Sequence, residues 1–170
     1  MNPTEELVQA NGSPVYQYVA DHGQAITASI ERVHIAGHKV SLSEEITEAE
    51  RSLIREAIQS KEPTKTECFA NALRMWKYNR RFKYAEGFAI PSHTTGEPQE
   101  FAHAWSMLDG AKIVDFTPEF HHHYGVIITS DDILEQCIGS DFTQRGIIGN
   151  HTNQYEFLRE RGYYPDPPAD

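Results

Sequence analysis

Residues 101–116 constrain the fold more tightly than any other part of the chain. Phe101-Ala102-His103-Ala104-Trp105-Ser106-Met107 alternates large and small side chains, the period of two that a half-buried strand requires. A second strand from Ala111 to Phe116 follows the turn Asp109-Gly110, so the pair reads as an antiparallel hairpin. His103 lies on one arm and Asp115 on the other, and the register of the turn decides whether they meet. A two-residue loop at Asp109-Gly110 pairs Ala104 with Asp115 and puts the carboxylate on the wrong face. A three-residue loop, Asp109-Gly110-Ala111 with a left-handed glycine, pairs Trp105 with Asp115 and His103 with Thr117. That makes His103 and Asp115 diagonal neighbours on one face, and it is the expected arrangement.

Upstream of the hairpin, Thr64-Lys65-Thr66-Glu67 has the Ser/Thr-x-x-Glu spacing of a helix-starting capping box. Phe69, Ala72, Leu73 and Trp76 then recur as one apolar helical stripe, which places Cys68 in the first turn. A first-turn thiol feels the positive end of the helix dipole and unpaired backbone amides, which favour the reactive thiolate, although Glu67 opposes this locally. The same amides are placed to stabilise an oxyanion. Each residue alone also has a structural reading. Cys68 could be a buried core thiol, His103 a satisfied core imidazole, and Asp115 a cap on the Thr117-Pro118 turn. Taken together and in this order, a thiol, an imidazole and a carboxylate are the parts of a nucleophile, its base and the group that orients the base.

The set Glu67-Cys68-Phe69-Ala70-Asn71-Ala72, Tyr84-Ala85-Glu86-Gly87, His103-Ala104-Trp105 and Val114-Asp115-Phe116-Thr117 resembles the core of the transglutaminase-like superfamily, within the papain-like cysteine fold. The resemblance covers about residues 64–118, with His-Ala-Trp and Asp-x-Thr as its most specific part. The chain is also similar to small uncharacterised bacterial and phage proteins with Cys-Phe/Tyr-x-Asn-Ala and His-Ala-Trp motifs. The resemblance implies Cys68 as nucleophile, His103 as base and acid, and Asp115 as orienting carboxylate, acting on the acyl group of an amide. Some superfamily members are catalytically dead. Glu67 stands where transglutaminases often have a small residue, and Phe69 where a tryptophan-like residue is common, so a precise substrate does not carry over.

An oxyanion-hole amide is not evident upstream; Gln59 and Asn71 are the candidates, Asn71 with a structural hydrogen bond as its alternative role. Glu86 and Trp105 are possible supporting residues around the site, and Trp105 shares the His103 face. His93, on the polar loop 91–98, together with His121 and Tyr124, is expected at the substrate rim. The run His121-His122-His123 reads as a polar loop: consecutive residues on an extended chain point to opposite sides, so the three cannot all bind one ion. No metal or other cofactor is expected.

With 170 residues and 39% hydrophobic content, one domain is expected. A net charge of -10 argues against a nucleic-acid backbone as the main partner, and the basic cluster from Lys77 to Lys83 reads as a helix C-terminus with cations suited to the dipole, with a small basic docking patch as the alternative. No apolar run is long enough to cross a bilayer, and no targeting segment is visible. Two distant cysteines do not describe a disulfide framework, which fits a reducing cytoplasm; Cys137 reads as a core residue of a helix over 130–138.

Residues 1–14 and 165–170 are expected to be tails around a catalytic-like core at 64–129. A capped helix is expected over 47–60, weak helix over 16–22, strands around Gly37 between 26 and 42, strands over 82–90 and 124–129, and a last helix over 152–161. The resulting expectation is an α+β, papain-like or transglutaminase-like core in which a helix with cysteine at its N-terminus packs on an antiparallel sheet. Its expected activity is cysteine-dependent acyl hydrolysis or transfer on a protein, peptide or small amide substrate. The alternative is a non-catalytic binding protein that has kept the fold, such as a phage or bacterial host-interaction factor. Sequence leaves the oligomeric state open.

Overall fold

The structure, a computed structural model, describes residues 2–93, 95–138 and 145–165. Its centre is a seven-stranded antiparallel sheet in the order β1-β7-β4-β5-β6-β3-β2. The strands are β1 (Gln24–Ala25), β2 (Ile30–Ile35), β3 (His38–Ser43), β4 (Phe82–Pro91), β5 (Phe101–Leu108), β6 (Lys112–Asp115) and β7 (Phe120–Ile128). Six helices accompany it among the described residues: α1 (Pro3–Ala10), α2 (Pro14–His22), α3 (Glu48–Lys61), α4 (Cys68–Tyr78), α5 (Asp131–Ile138) and α6 (Glu156–Glu160). The α+β class is therefore as expected. No helix among the described residues is long and apolar enough to cross a membrane.

Both faces of the sheet are buried, by different means. On one face Tyr84, Phe88, Ala104 and Val126 meet Ala72, Leu73 and Trp76 of α4, together with Val19 of α2. On the other, Ala85, Trp105, Met107 and Ile113 are covered by Ile26 and by Ile30 at the start of β2. Strand parity thus sorts side chains into a helix-covered face and a second, more polar face.

The register test comes out as the three-residue loop requires. Ser106 pairs with Val114 and Leu108 with Lys112, so residues 109–111 form the turn. Asp109 and Gly110 both lie in the left-handed region, at φ 55° and 71°. The hairpin around Gly37 closes with Ile35 opposite His38, and Ala36 and Gly37 both take positive φ. The α3 capping box forms as the spacing predicts, with Glu50 N–H donating to Thr47 Oγ1 and Thr47 N–H to Glu50 Oε1.

Other expectations need correction. Residues 2–14 of the expected N-terminal tail are ordered into the fold: Asn2 accepts hydrogen bonds from the Thr4 and Glu5 amides, Pro3 and Pro14 each start a helix, and Val8 is fully buried, while residue 1 lies outside the described residues. The 152–161 helix shrinks to α6, because the Asn150 side chain accepts from the amides of Thr152 and Asn153 and turns the chain first. The box at Thr64 does not form. Thr64 donates its hydroxyl to the Glu67 carboxylate instead, and Asn71 takes both polar groups of the Thr64 backbone. Residues 166–170, most of the expected C-terminal tail, lie outside the described residues.

Candidate active site

Cys68 is the first residue of α4 and is partly exposed. One turn later Asn71, buried, anchors the helix start. Its amide donates to Thr64 O at 2.6 Å and to Thr117 Oγ1 at 3.0 Å, and its carbonyl accepts from Thr64 N–H at 2.9 Å. Thr117 in turn donates its N–H to Asp115 Oδ1 at 2.9 Å. A chain of hydrogen bonds therefore ties the first turn of α4 to the end of β6. β6 stops at Asp115, so the first half of β5 has no β6 partner, and α4 reaches His103 from that side.

His103 is completely buried, and its Nε2 lies 2.7 Å from Asp115 Oδ2. That distance suits a charge-assisted hydrogen bond with the proton on Nε2. The other ring nitrogen, Nδ1, is buried without a completed hydrogen bond. The Cys68 thiol sits beside the ring and adds to its basicity. Burial works against the imidazolium, but the Asp115 charge and hydrogen bond, helped by Cys68, outweigh it and push His103 up to about 9. Burial likewise opposes ionisation of Asp115, and its two imidazole partners overcome this, holding it below the usual carboxylate range.

The second imidazole is His123, which sequence reasoning did not place here. Its Nε2 also lies 2.7 Å from Asp115 Oδ2, and it is almost fully buried. Burial holds its pKa below that of a free imidazole, with Asp115 offsetting part of the shift. The histidine run is not a loop but the first half of β7, and it contains a β-bulge: Phe88 pairs with Tyr124 and Ile90 with His121, so His122 and His123 together oppose Ala89. His122 takes up the extra residue at φ 54°. The bulge puts Phe120 and His123, three apart in sequence, on the same face. Phe120 stacks on His103 at 4.1 Å. The signal available in sequence was the run itself, since three polar residues opening a strand need a buried partner or a bulge.

Trp105 packs beneath both imidazoles, 5.9 Å from His103 and 4.8 Å edge-on from His123. Room for its indole comes from Gly125, where a Cβ would lie 2.6 Å from Trp105 Cη2. Arg32, also unforeseen, donates to the carbonyls of Pro118 and Phe120 and to Ser92 Oγ, fixing the crossing from β6 to β7.

The remaining candidates fall elsewhere. Gln59 is exposed on α3 and lines a groove with Ala36, Gly37 and Pro63, away from the triad. Asn71 has its amide committed to Thr64 and Thr117, the structural alternative. Tyr124 is a core residue on the helix-covered face, one strand position from His123 and therefore of opposite parity, so it is not at the rim. His93 is exposed and pairs with Glu119 at 3.2 Å. His121 contacts Ser92 at 3.4 Å and lines a groove with Asn2 and Ile26. Glu86 lies on the helix-covered face, where its carboxylate accepts from the Tyr84 hydroxyl and the amides of Ile147, Ile148 and Gly149. Burial raises its pKa, and those donors only partly counter the effect. Cys137 is half-buried, and burial pushes its thiol up to about 11.

Chemically, the arrangement offers a partly exposed thiol beside an imidazole whose far nitrogen is held by a buried carboxylate. The amides that a helix start leaves without intrahelical partners stand next to the thiol. His103, Asp115 and His123 are also a donor set that a divalent ion could use, their ligand atoms lying within 4.8 Å of one another. Such an ion would replace the Nε2 protons that now bridge to Asp115. No family model, curated protein or solved structure matches the chain.

Proposed function

We propose that the protein is a cysteine-dependent acyl hydrolase or transferase with a papain-like core, using Cys68 as nucleophile, His103 as acid and base, and Asp115 as orienting group. The observation that carries this reading is the two-sided environment of His103. Its Nε2 is fixed on Asp115 at 2.7 Å, while Nδ1, buried and without a completed bond, is left for the thiol at the start of α4.

In the reaction, the Cys68 sulfur attacks the carbonyl carbon of an amide, and a C–S bond forms. His103 holds the proton taken from the thiol and passes it to the departing nitrogen as the C–N bond breaks. Water, or an amine, then attacks the thioester, gives its proton to His103, and frees Cys68 as the C–S bond breaks. The first-turn amides of α4 are placed for the oxyanion in both steps. Hydrolysis is favoured because a partly exposed thiol is open to water. The substrate class is a protein, peptide or small amide, and a reducing compartment such as the cytoplasm would keep the thiol free.

The test is the rate of iodoacetamide labelling against pH, in the native chain and in His103→Ala, with the adduct located by mass spectrometry. Cys68 is expected to react at least about tenfold faster than Cys137 at neutral pH and to lose that advantage without His103. Slow labelling that is indifferent to His103 would leave the fold serving binding alone and overturn the proposal.

A further inference from the structure

Next to Cys68 the surface opens into a cleft of about 490 Å³, within the range of about 300–1,000 Å³ typical of ligand pockets. Neither Cys68 nor His103 lines it, and Ala102 faces the opposite side of the sheet from the His103 ring, but Phe69, which follows Cys68 in the first turn of α4, forms part of its wall, so the cleft begins one residue from the thiol on the helix-covered face. Its lining is aromatic. Tyr16 of α2 stacks on Phe88 of β4 at 4.2 Å and 20°, and Tyr155 stacks on Tyr164 at 4.4 Å and 6°. The cleft is also braced: Tyr16 donates to Glu100 at 3.0 Å, and the loop bearing Gly149 is tied to Glu86 of β4. Exposed Arg145 and His151 stand at its polar edge. A preformed hollow lined by aromatic side chains suits a flat apolar group, because contacts between rings add to the gain from burying apolar area.

We infer that this cleft is a specificity subsite that takes an aromatic side chain of the substrate beside the amide to be attacked. The inference rests on Cys68 being the nucleophile. Gly149 offers a clean way to fill the cleft. Its backbone is not left-handed, and a Cβ there would meet Val15 Cγ1 at 3.7 Å and Glu86 Oε2 at 3.8 Å, ordinary contact distances. A Cβ at 149 is therefore accepted without backbone strain, and a side chain carried on it is expected to take up cleft volume while the N–H still donates to Glu86.

The experiment compares labelling of Cys68 by chloroacetamides that share one electrophile and differ in the N-substituent: methyl, cyclohexylmethyl and benzyl. The benzyl reagent is expected to react at least about tenfold faster than the methyl one, and faster than the cyclohexylmethyl one. Gly149→Leu should reduce the benzyl rate to the methyl rate and leave iodoacetamide labelling unchanged. Tyr16→Ala, which removes an aromatic ring from the lining, should do the same, so the result does not hang on one variant folding. Equal benzyl and methyl rates, alongside fast His103-dependent iodoacetamide labelling, would overturn the subsite and leave the nucleophile standing. A cyclohexylmethyl rate equal to the benzyl rate would overturn the aromatic assignment. If Cys68 proves unreactive, unreactive N-benzylacetamide is titrated at millimolar concentration against the Gly87 and Gly149 amide resonances, and the absence of shifts would overturn the subsite.

Discussion

Glu86 and Asp115 are both buried carboxylates of the same sheet, and they are satisfied in opposite ways. Asp115 Oδ1 accepts from the Thr117 amide, but Oδ2 faces two imidazoles, which can themselves gain or lose a proton. Glu86, on the helix-covered face, is answered by three backbone amides and a phenol, none of which titrates near neutrality. Burial opposes ionisation in both, yet Asp115 ends below the usual range and Glu86 above it. A carboxylate held by dipoles is a clamp, and one held by imidazoles is part of a proton relay. Glu86 is thus held as a structural acid, and Asp115 has the environment that the proposed orienting role requires.

The contrast would break first at Glu86. Glu86→Ala strands two buried amides, the partly buried Gly149 amide and the Tyr84 hydroxyl, and is expected to cost about 3–5 kcal/mol in urea unfolding while the titration of His103 stays in place. A Glu86→Ala protein of native stability would refute the clamp. Asp115→Asn sharpens the other side. Removing the charge should bring the His103 pKa, followed by imidazole NMR, down from about 9.

The same substitution has a consequence for stability. A histidine whose folded pKa is raised stabilises fully below its unfolded value, and that contribution is lost as pH rises through the folded one. Native stability should therefore fall between about pH 6.5 and 9, and the fall should flatten in Asp115→Asn. An unchanged slope would show that His103 is not coupled to Asp115. The smallest effect belongs to Tyr84→Phe, which removes one of four donors to Glu86 and should cost about 1 kcal/mol in thermal unfolding.

How far the sequence could be read depended on whether the determining contacts were local. The β5–β6 hairpin, its register and the same-face placement of His103 and Asp115 follow from period two and a short turn, both set by adjacent residues. The capped start of α3 was equally local. The N-terminus of α4 was not: Thr64-x-x-Glu67 has the right spacing, but Asn71 competes for Thr64, and Asn71 is itself positioned by Thr117 from across the fold. His123 escaped because strand alternation, applied to a run of three histidines, assumes an unbroken ladder. The bulge that re-aims it exists only against Ala89 of a distant strand. Tyr124 was misplaced by the same one-residue error. Glu86 is expected beside the site, yet it faces the other side of the sheet, where it is held by amides some 60 positions later that no local pattern encodes.

The bulge in β7 also separates chemistry from length. Only His123 of the three histidines reaches Asp115, and His122 is the exposed residue that the ladder skips. Deleting any one histidine of the run yields the same shorter chain. In that chain, regular pairing would set histidine against Ala89 and Ile90 and phenylalanine against Pro91, the partners they have now. At His122 the chain therefore depends on neither an imidazole nor the extra residue, and the strand can lose a residue there without moving Phe120 or His123 off the His103 face.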